Sequence, residues 1–472
     1  MTNSVYRNIT QEQNESNPFS KLVPGQTIVE IPELQLECGE ALLNFPVAYK
    51  TWGKLNDQGD NVLLICHALT GSSDVQDWWG PLLGTNKTFD PSRFFIVCIN
   101  FLGSPYGSAS PVTIDKSTGR PYGPSFPLVT VKDDLKVHRM ILDSLNVRSI
   151  ACVIGGSMGG MIALEYSATY RNDPYVKSVI ALATAARASA WCISWNETQR
   201  QCIFSDPFYD DGYYFENIDG NKPDSGLSAA RMAALLTYRS RNSFETRFGR
   251  KLPQTTTNSQ PTSIEEEERE KGIRYPRTKD EENWLLHNEG SNSVTNLKAM
   301  DSKSARQSKE KPQTYFTAQS YLRYQGRKFI SRFDANCYIA ITRKLDTHDI
   351  TRGRIEATNE DPLPAFLKTI NQPHLIIGIQ SDGLFTFGEQ SLLGSNIPNS
   401  TLKKLESPEG HDAFLLEFEL INEWCSDFLK KTLPEYYGDK VNLFLDWEKY
   451  VDNKDNGGNS VFGEVEKNIT NW

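Results

Sequence analysis

Ser157 stands between Gly155 and Gly159 in the run SIACVIGGSMGGMIALEYSA, residues 149–168. A hydroxyl flanked by glycines at this spacing fits the G-x-S-x-G nucleophile elbow, where a sharp turn lifts the serine oxygen clear of a sheet. The turn also puts the backbone N–H of Met158 at a helix N-terminus, where it can bind a developing oxyanion. The bare pattern arises by chance. Here it lies between a β-branched apolar run and a helical pattern rich in small residues, and that context makes it specific.

A neutral serine is a poor nucleophile, so it needs a base within hydrogen-bond reach and a carboxylate to fix the base's tautomer. QPHLIIGIQSDGLF (372–385) reads as a buried strand that ends at Asp382, and the loop before a final helix (Phe414 to Leu429) presents His411. Ser157, Asp382 and His411 follow the chain order of an α/β-hydrolase triad. The chain has six histidines. His138 falls on a helical pattern, His287 in a hydrophilic insertion, His374 at a strand start and His348 in the segment THDI, while His67 ends a central strand near the site. His411, between Gly410 and Asp412 and downstream of the acid strand, fits the base best. Asp382 is preferred to Asp346 or Asp349 as the orienting acid, although Asp382-Gly383 also reads as a plain turn. The loop HALTGSSD (67–74) leaves its strand where a second oxyanion donor belongs, which makes the Leu69 backbone N–H a candidate.

The elements that must hold these groups are legible as runs. TIVEIPELQLE and ALLNFPVAYKTWG alternate as hairpin strands. NVLLICHAL (61–69), FFIVCINFLG (94–103), SIACVIGG (149–156) and SVIALATAA (178–186) are continuous apolar runs of buried-strand type, with a helical pattern from Val131 to Leu145 between the second and third. The expected fold class is therefore α/β: a mostly parallel central sheet with helices on both faces. Residues 187–352 read as an inserted helical cap, rich in Trp, Tyr, Arg and Ala, and within it 249–312 is a low-complexity stretch too poor in apolar residues to order. The remaining divisions are a disordered lead (1–20), two parts of the sheet domain (21–186 and 353–435) and a polar tail (436–472).

A net charge of −9 and a pI near 5.4 argue against a nucleic-acid or anionic-membrane binder. Eight scattered cysteines without a C-x-x-C pair point to reduced core thiols, with no disulfide frame and no metal site expected. No leader pattern and no run long enough to span a bilayer are present, so a cytoplasmic location is expected.

CHALTGSSD, DWWGPLLG, INFLGSPYGS, GGSMGGM, TYRSR, FDANCYIAITRKLDTHD, IGIQSDGLF and ESPEGHDAF, taken together and in this order, resemble the homoserine O-acetyltransferases in their fungal form. The likeness spans most of residues 20–435 outside the low-complexity stretch. It implies an α/β-hydrolase-fold transferase that moves acetyl from acetyl-CoA to the hydroxyl of L-homoserine, in methionine synthesis, with no bound cofactor. It also implies that Ser157, Asp382 and His411 form the triad, and that Arg231, Tyr238 and Asp412 bind the amino acid, Asp412 helping to hold its amino group. Relatives are dimers through the cap, so a homodimer is a further implication. Residues alone leave open succinyl-CoA as donor, serine as acceptor, an esterase on the same triad, and a non-catalytic binding relative.

Overall fold

The computed structural model describes residues 6–252, 278–288, 316–355, 361–438 and 444. Eleven strands are present among them: β1 (Arg7–Asn8), β2 (Thr27–Gln35), β3 (Ala41–Trp52), β4 (Val62–Cys66), β5 (Phe95–Ile99), β6 (Ile114–Asp115), β7 (Arg120–Pro121), β8 (Ile150–Gly156), β9 (Val179–Leu182), β10 (His374–Ile379) and β11 (Ser400–Leu405). Nine form one sheet in the order β1-β2-β3-β5-β4-β8-β9-β10-β11, and β6 and β7 pair separately. From β5 to β11 every neighbour is parallel. The β1, β2 and β3 edge is antiparallel, as the alternating hairpin text requires.

Burial explains the runs. Every residue of β4, β8, β9 and β10 is buried, because helices cover both faces of the sheet centre and leave no solvated side to alternate with. The edge strand β11 differs: Lys403 and Lys404 are exposed there, and charges on an edge discourage further strand addition.

The segment between β9 and β10 is helical among the described residues, and its longer helices are Ala190–Phe204, Asp224–Tyr238, Thr317–Ile330 and Ala335–Asp346. A fully buried ion pair joins this layer to the sheet domain: Lys344 Nζ lies 2.5 Å from Asp134 Oδ2 and donates to the Leu102 carbonyl at 2.6 Å. Burial raises the Asp134 carboxyl to about 6 and lowers the Lys344 ammonium, each against the pull of its partner.

Three expectations are corrected. The lead is ordered from residue 6: β1 pairs with β2, a helix runs from Thr10 to Ser16, and Ile9 is buried against Ile28 and Ala48 with its N–H on the Ile28 carbonyl at 2.8 Å. One apolar anchor and an available strand edge suffice to order a polar segment. The polar tail starts later than 436, since Tyr436 is buried and its hydroxyl donates to the Asp60 carbonyl at 2.9 Å. The final helix is two, Ala413–Leu416 and Phe418–Thr432, broken at Glu417 where ψ reaches 44°. Most of the 249–312 stretch lies outside the described residues, but Lys279–His287 within it is helical.

Burial also sets acid stability. It pushes His67, His138 and His348 down to about 3 and His374 to about 4. Each imidazole protonates in the unfolded chain near 6.5 but resists doing so when folded, so its stabilisation is complete above pH 6.5 and is lost as pH falls towards 4 or 3. Each such group contributes a slope of about 1.4 kcal/mol per pH unit across that window. Thermal midpoints should be flat near neutrality and fall steeply below pH 6, with several protons taken up on unfolding at pH 5; a flat profile from pH 7 to 4.5 would contradict this account.

Candidate active site

Ser157 follows the last residue of β8 and precedes the helix Met158–Thr169. Its backbone is at φ 58°, ψ −127°, a region that residues with a Cβ seldom occupy. The turn is held by the Ser157 N–H on the Leu182 carbonyl (3.0 Å) and by Thr184 Oγ1 donating to the Ser157 carbonyl (2.7 Å). It closes only with glycine on either side. A Cβ on Gly159 would lie 2.0 Å from the Cys66 carbonyl oxygen, and one on Gly155 would lie 2.1 Å from the Gly159 carbonyl oxygen.

Asp382 follows the end of β10, and His411 sits in a short turn after β11. Asp382 Oδ1 accepts the N–H groups of Leu384 (2.9 Å) and Phe385 (3.0 Å), which fixes the carboxylate so that Oδ2 meets His411 Nδ1 at 2.8 Å. The carboxylate can only accept, so Nδ1 carries the proton and Nε2 is left as the acceptor. Nε2 lies 2.9 Å from Ser157 Oγ. The rings of Phe385, Phe414 and Tyr238 stand 5.4, 5.5 and 6.1 Å from the imidazole and shield it from water. The rival acids are engaged elsewhere: Asp346 pairs with Arg200 at 2.7 Å, and Asp349 accepts from Thr351 at 2.7 and 2.8 Å. His67 is a core residue. It stacks on Phe101 at 3.6 Å, and its Nε2 accepts the Phe101 N–H at 3.3 Å.

A cleft of about 510 Å³, partly open to solvent, lies over Ser157 and His411. Leu69, Tyr238 and Asp412 line it. Among the described residues no acceptor takes the backbone N–H of Leu69 or Met158. Arg231 is buried, its guanidinium 5.4 Å from the ring of the cleft residue Tyr238 and 4.8 Å from the Phe329 ring. Asp412 is ion-paired with Arg239 at 3.0 Å.

Asn196 and Gln199 also line the cleft, and sequence reasoning did not single them out. Asn196 Nδ2 donates to Asp346 (2.8 Å) and Gln199 Oε1 accepts from the Tyr338 hydroxyl (2.5 Å), so both amides are held in place. Two amides one helical turn apart on the buried side of Ala190–Phe204 were the available signal. Among the described residues no group of acidic, histidine or cysteine side chains is placed to hold a metal ion, and no helix is long and apolar enough to cross a membrane.

A serine, histidine and aspartate in hydrogen-bonded series at an elbow is an acyl-transfer constellation. A model of the alpha/beta hydrolase fold matches residues 61–418. The homoserine O-acetyltransferase of Saccharomyces pastorianus is 55% identical over 492 residues, covering 98% of this chain and 97% of that protein. The chain belongs to the homoserine O-acetyltransferase family. Other members of the family include the homoserine O-acetyltransferases of Saccharomyces cerevisiae (54% identical, 98% and 97% covered) and Schizosaccharomyces pombe (46% identical, 99% and 98% covered). Among solved structures, homoserine O-acetyltransferase from Bacillus anthracis superposes with a TM-score of 0.65 at 21% identity, over 86% of this chain and 97% of that one. Esterase E22 gives 0.64 at 23% identity, over 86% and 99%. At such identities the two structures establish the fold that the family shares with hydrolases, and the sequence relatives establish the family.

Proposed function

We propose that this enzyme moves acetyl from acetyl-CoA to the hydroxyl of L-homoserine through an acetyl-Ser157 intermediate, a step of methionine synthesis. The carrying observation is the series Asp382, His411, Ser157, at 2.8 and 2.9 Å, with one imidazole nitrogen committed to the acid and the other to the nucleophile.

His411 Nε2 takes the proton of Ser157 as its oxygen attacks the thioester carbonyl. Negative charge then gathers on the carbonyl oxygen, where the N–H groups of Leu69 and Met158 receive it. The tetrahedral species collapses with loss of the CoA thiolate, which takes the proton from His411. Homoserine enters the same cleft, His411 accepts its hydroxyl proton, and the alkoxide attacks the acetyl ester. Collapse returns that proton to Ser157 and releases O-acetyl-L-homoserine, so ping-pong kinetics are expected.

Homoserine must outcompete water. A guanidinium grips a carboxylate through two parallel hydrogen bonds and a carboxylate grips an ammonium, and holding both ends supplies effective molarity at the hydroxyl. Arg231 and Asp412, with Tyr238 beside them, are the groups proposed for this. Two further proposals concern the molecule as a whole. All eight cysteines are free thiols, which fits a reducing cytoplasm. Trp191, Phe208 and Leu236 leave apolar surface exposed on the cap, which fits a homodimer formed there.

Thiol release from acetyl-CoA or succinyl-CoA, each with homoserine or serine, tests the reading. Acetyl-CoA with homoserine should turn over fastest, and acetyl-CoA without an acceptor should release thiol only slowly after the first turnover. Full-rate hydrolysis without an acceptor would make the enzyme an esterase.

A further inference from the structure

Arg239 and Glu409 lie beside the catalytic histidine, yet no chemical step uses them. Arg239 directly follows Tyr238 at the end of the helix Asp224–Tyr238, with an extended backbone (φ −107°, ψ 149°). Its buried guanidinium bridges two carboxylates. Nε lies 3.0 Å from Asp412 Oδ2, and Nη1 donates to Glu409 Oε2. These acids flank His411 in sequence, two residues before it and one after. Glu409 is held in turn by Ser243 Oγ at 2.7 Å and by Arg247 at 3.6 Å. The two backbones also meet: Ser240 Oγ donates to the Pro408 carbonyl, and a Cβ on Gly410 would lie 2.4 Å from the Ser240 nitrogen.

The two ends of this bridge differ in reach. Asp412 lines the cleft beside Ser157, whereas Arg239 and Glu409 stand behind its wall. A carboxylate as buried as Asp412 keeps its charge and orientation only with a partner, and a guanidinium fork is a rigid one. His411 is held by Asp382 at 2.8 Å and by three surrounding rings, and Asp412 is paired with Arg239 at 3.0 Å.

We propose that Arg239 is a positioning residue for the acceptor half of the reaction: from behind the cleft wall it fixes the Asp412 carboxylate where an acceptor's ammonium must dock. The idea rests on the acyl-transfer reading given under Proposed function. Acyl donors carry no ammonium at the reacting end, so the donor half should be indifferent to it.

The experiment compares wild type with Arg239→Met, Arg239→Lys and Glu409→Gln in two measurements. One is the burst of thiol from acetyl-CoA alone. The other is the ratio of kcat/KM for homoserine to that for γ-hydroxybutyrate, which lacks the amino group. Arg239→Met should keep the burst and lower the ratio about tenfold or more, because a misplaced carboxylate no longer favours the ammonium. Arg239→Lys should recover part of the ratio, and Glu409→Gln should lower it less than Arg239→Met. Should Arg239→Met fail to fold, the other two substitutions carry the same test. An unchanged ratio, or a burst that falls in parallel with acceptor turnover, overturns the proposal. A wild-type protein that shows no burst and no homoserine turnover would instead defeat the acyl-transfer reading itself.

Discussion

Replacing Ser157 with alanine is expected to lower acetyl transfer to homoserine by about 10⁴-fold or more while leaving the fold intact. The hydroxyl is the atom that would carry the acetyl group, and it sits 2.9 Å from His411 Nε2. Stability should change little. The φ of 58° is as costly for alanine as for serine, since both carry a Cβ, and the hydrogen bonds that hold the turn come from the backbone N–H and carbonyl of residue 157. Steady-state thiol release and a thermal melt on the same preparation check both halves. A variant that melts like wild type and retains more than a hundredth of its activity would show that the serine is not the nucleophile.

Asp382→Asn should cost nearly as much, about 10⁴-fold in kcat, by a different route. The N–H groups of Leu384 and Phe385 require an acceptor at 2.9 and 3.0 Å, and the amide oxygen of asparagine would turn to meet them. Its NH₂ group would then face His411 Nδ1. Two donors cannot share that position, so the imidazole would shift its proton to Nε2 and present a donor to Ser157 where the reaction needs an acceptor. Turnover should collapse although substrate binding survives. Loss confined to KM would contradict this role for Asp382.

The parts of the fold that could be read in advance were those with a local cause. A strand buried on both faces must be continuously apolar, and β4, β5, β8, β9 and β10 were recognisable for that reason. The elbow was recognisable because two glycines are sterically compelled there. Features that depend on distant partners were not legible. Ile9 looks like a stray hydrophobe in a polar lead until β2 offers it an edge, and Lys344 looks like a surface lysine of an amphipathic helix until Asp134, 210 residues earlier, meets it in the core.

The site divides in the same way. Ser157, Asp382 and His411 each fall at the end of a readable element, so their order and setting indicated the triad. Arg231, Tyr238 and Asp412 entered through the family resemblance alone. In the structure Tyr238 and Asp412 line the cleft, and the buried Arg231 guanidinium stands 5.4 Å from the Tyr238 ring. Arg239, Asn196 and Gln199 gave little sign in the sequence because their significance is tertiary, arising only when the cap helices close over the elbow.

The central claim is that one oxygen, that of Ser157, carries the acetyl group between donor and acceptor. Rapid quenching of the enzyme with acetyl-CoA alone, followed by intact and peptide mass spectrometry, tests it most directly. An acetyl increment on the peptide containing Ser157 should appear within one turnover, persist in the absence of acceptor, and vanish when homoserine is added, with O-acetylhomoserine released in equal amount. Efficient turnover of acetyl-CoA with homoserine and no acetyl on Ser157 at any quench time would contradict the account.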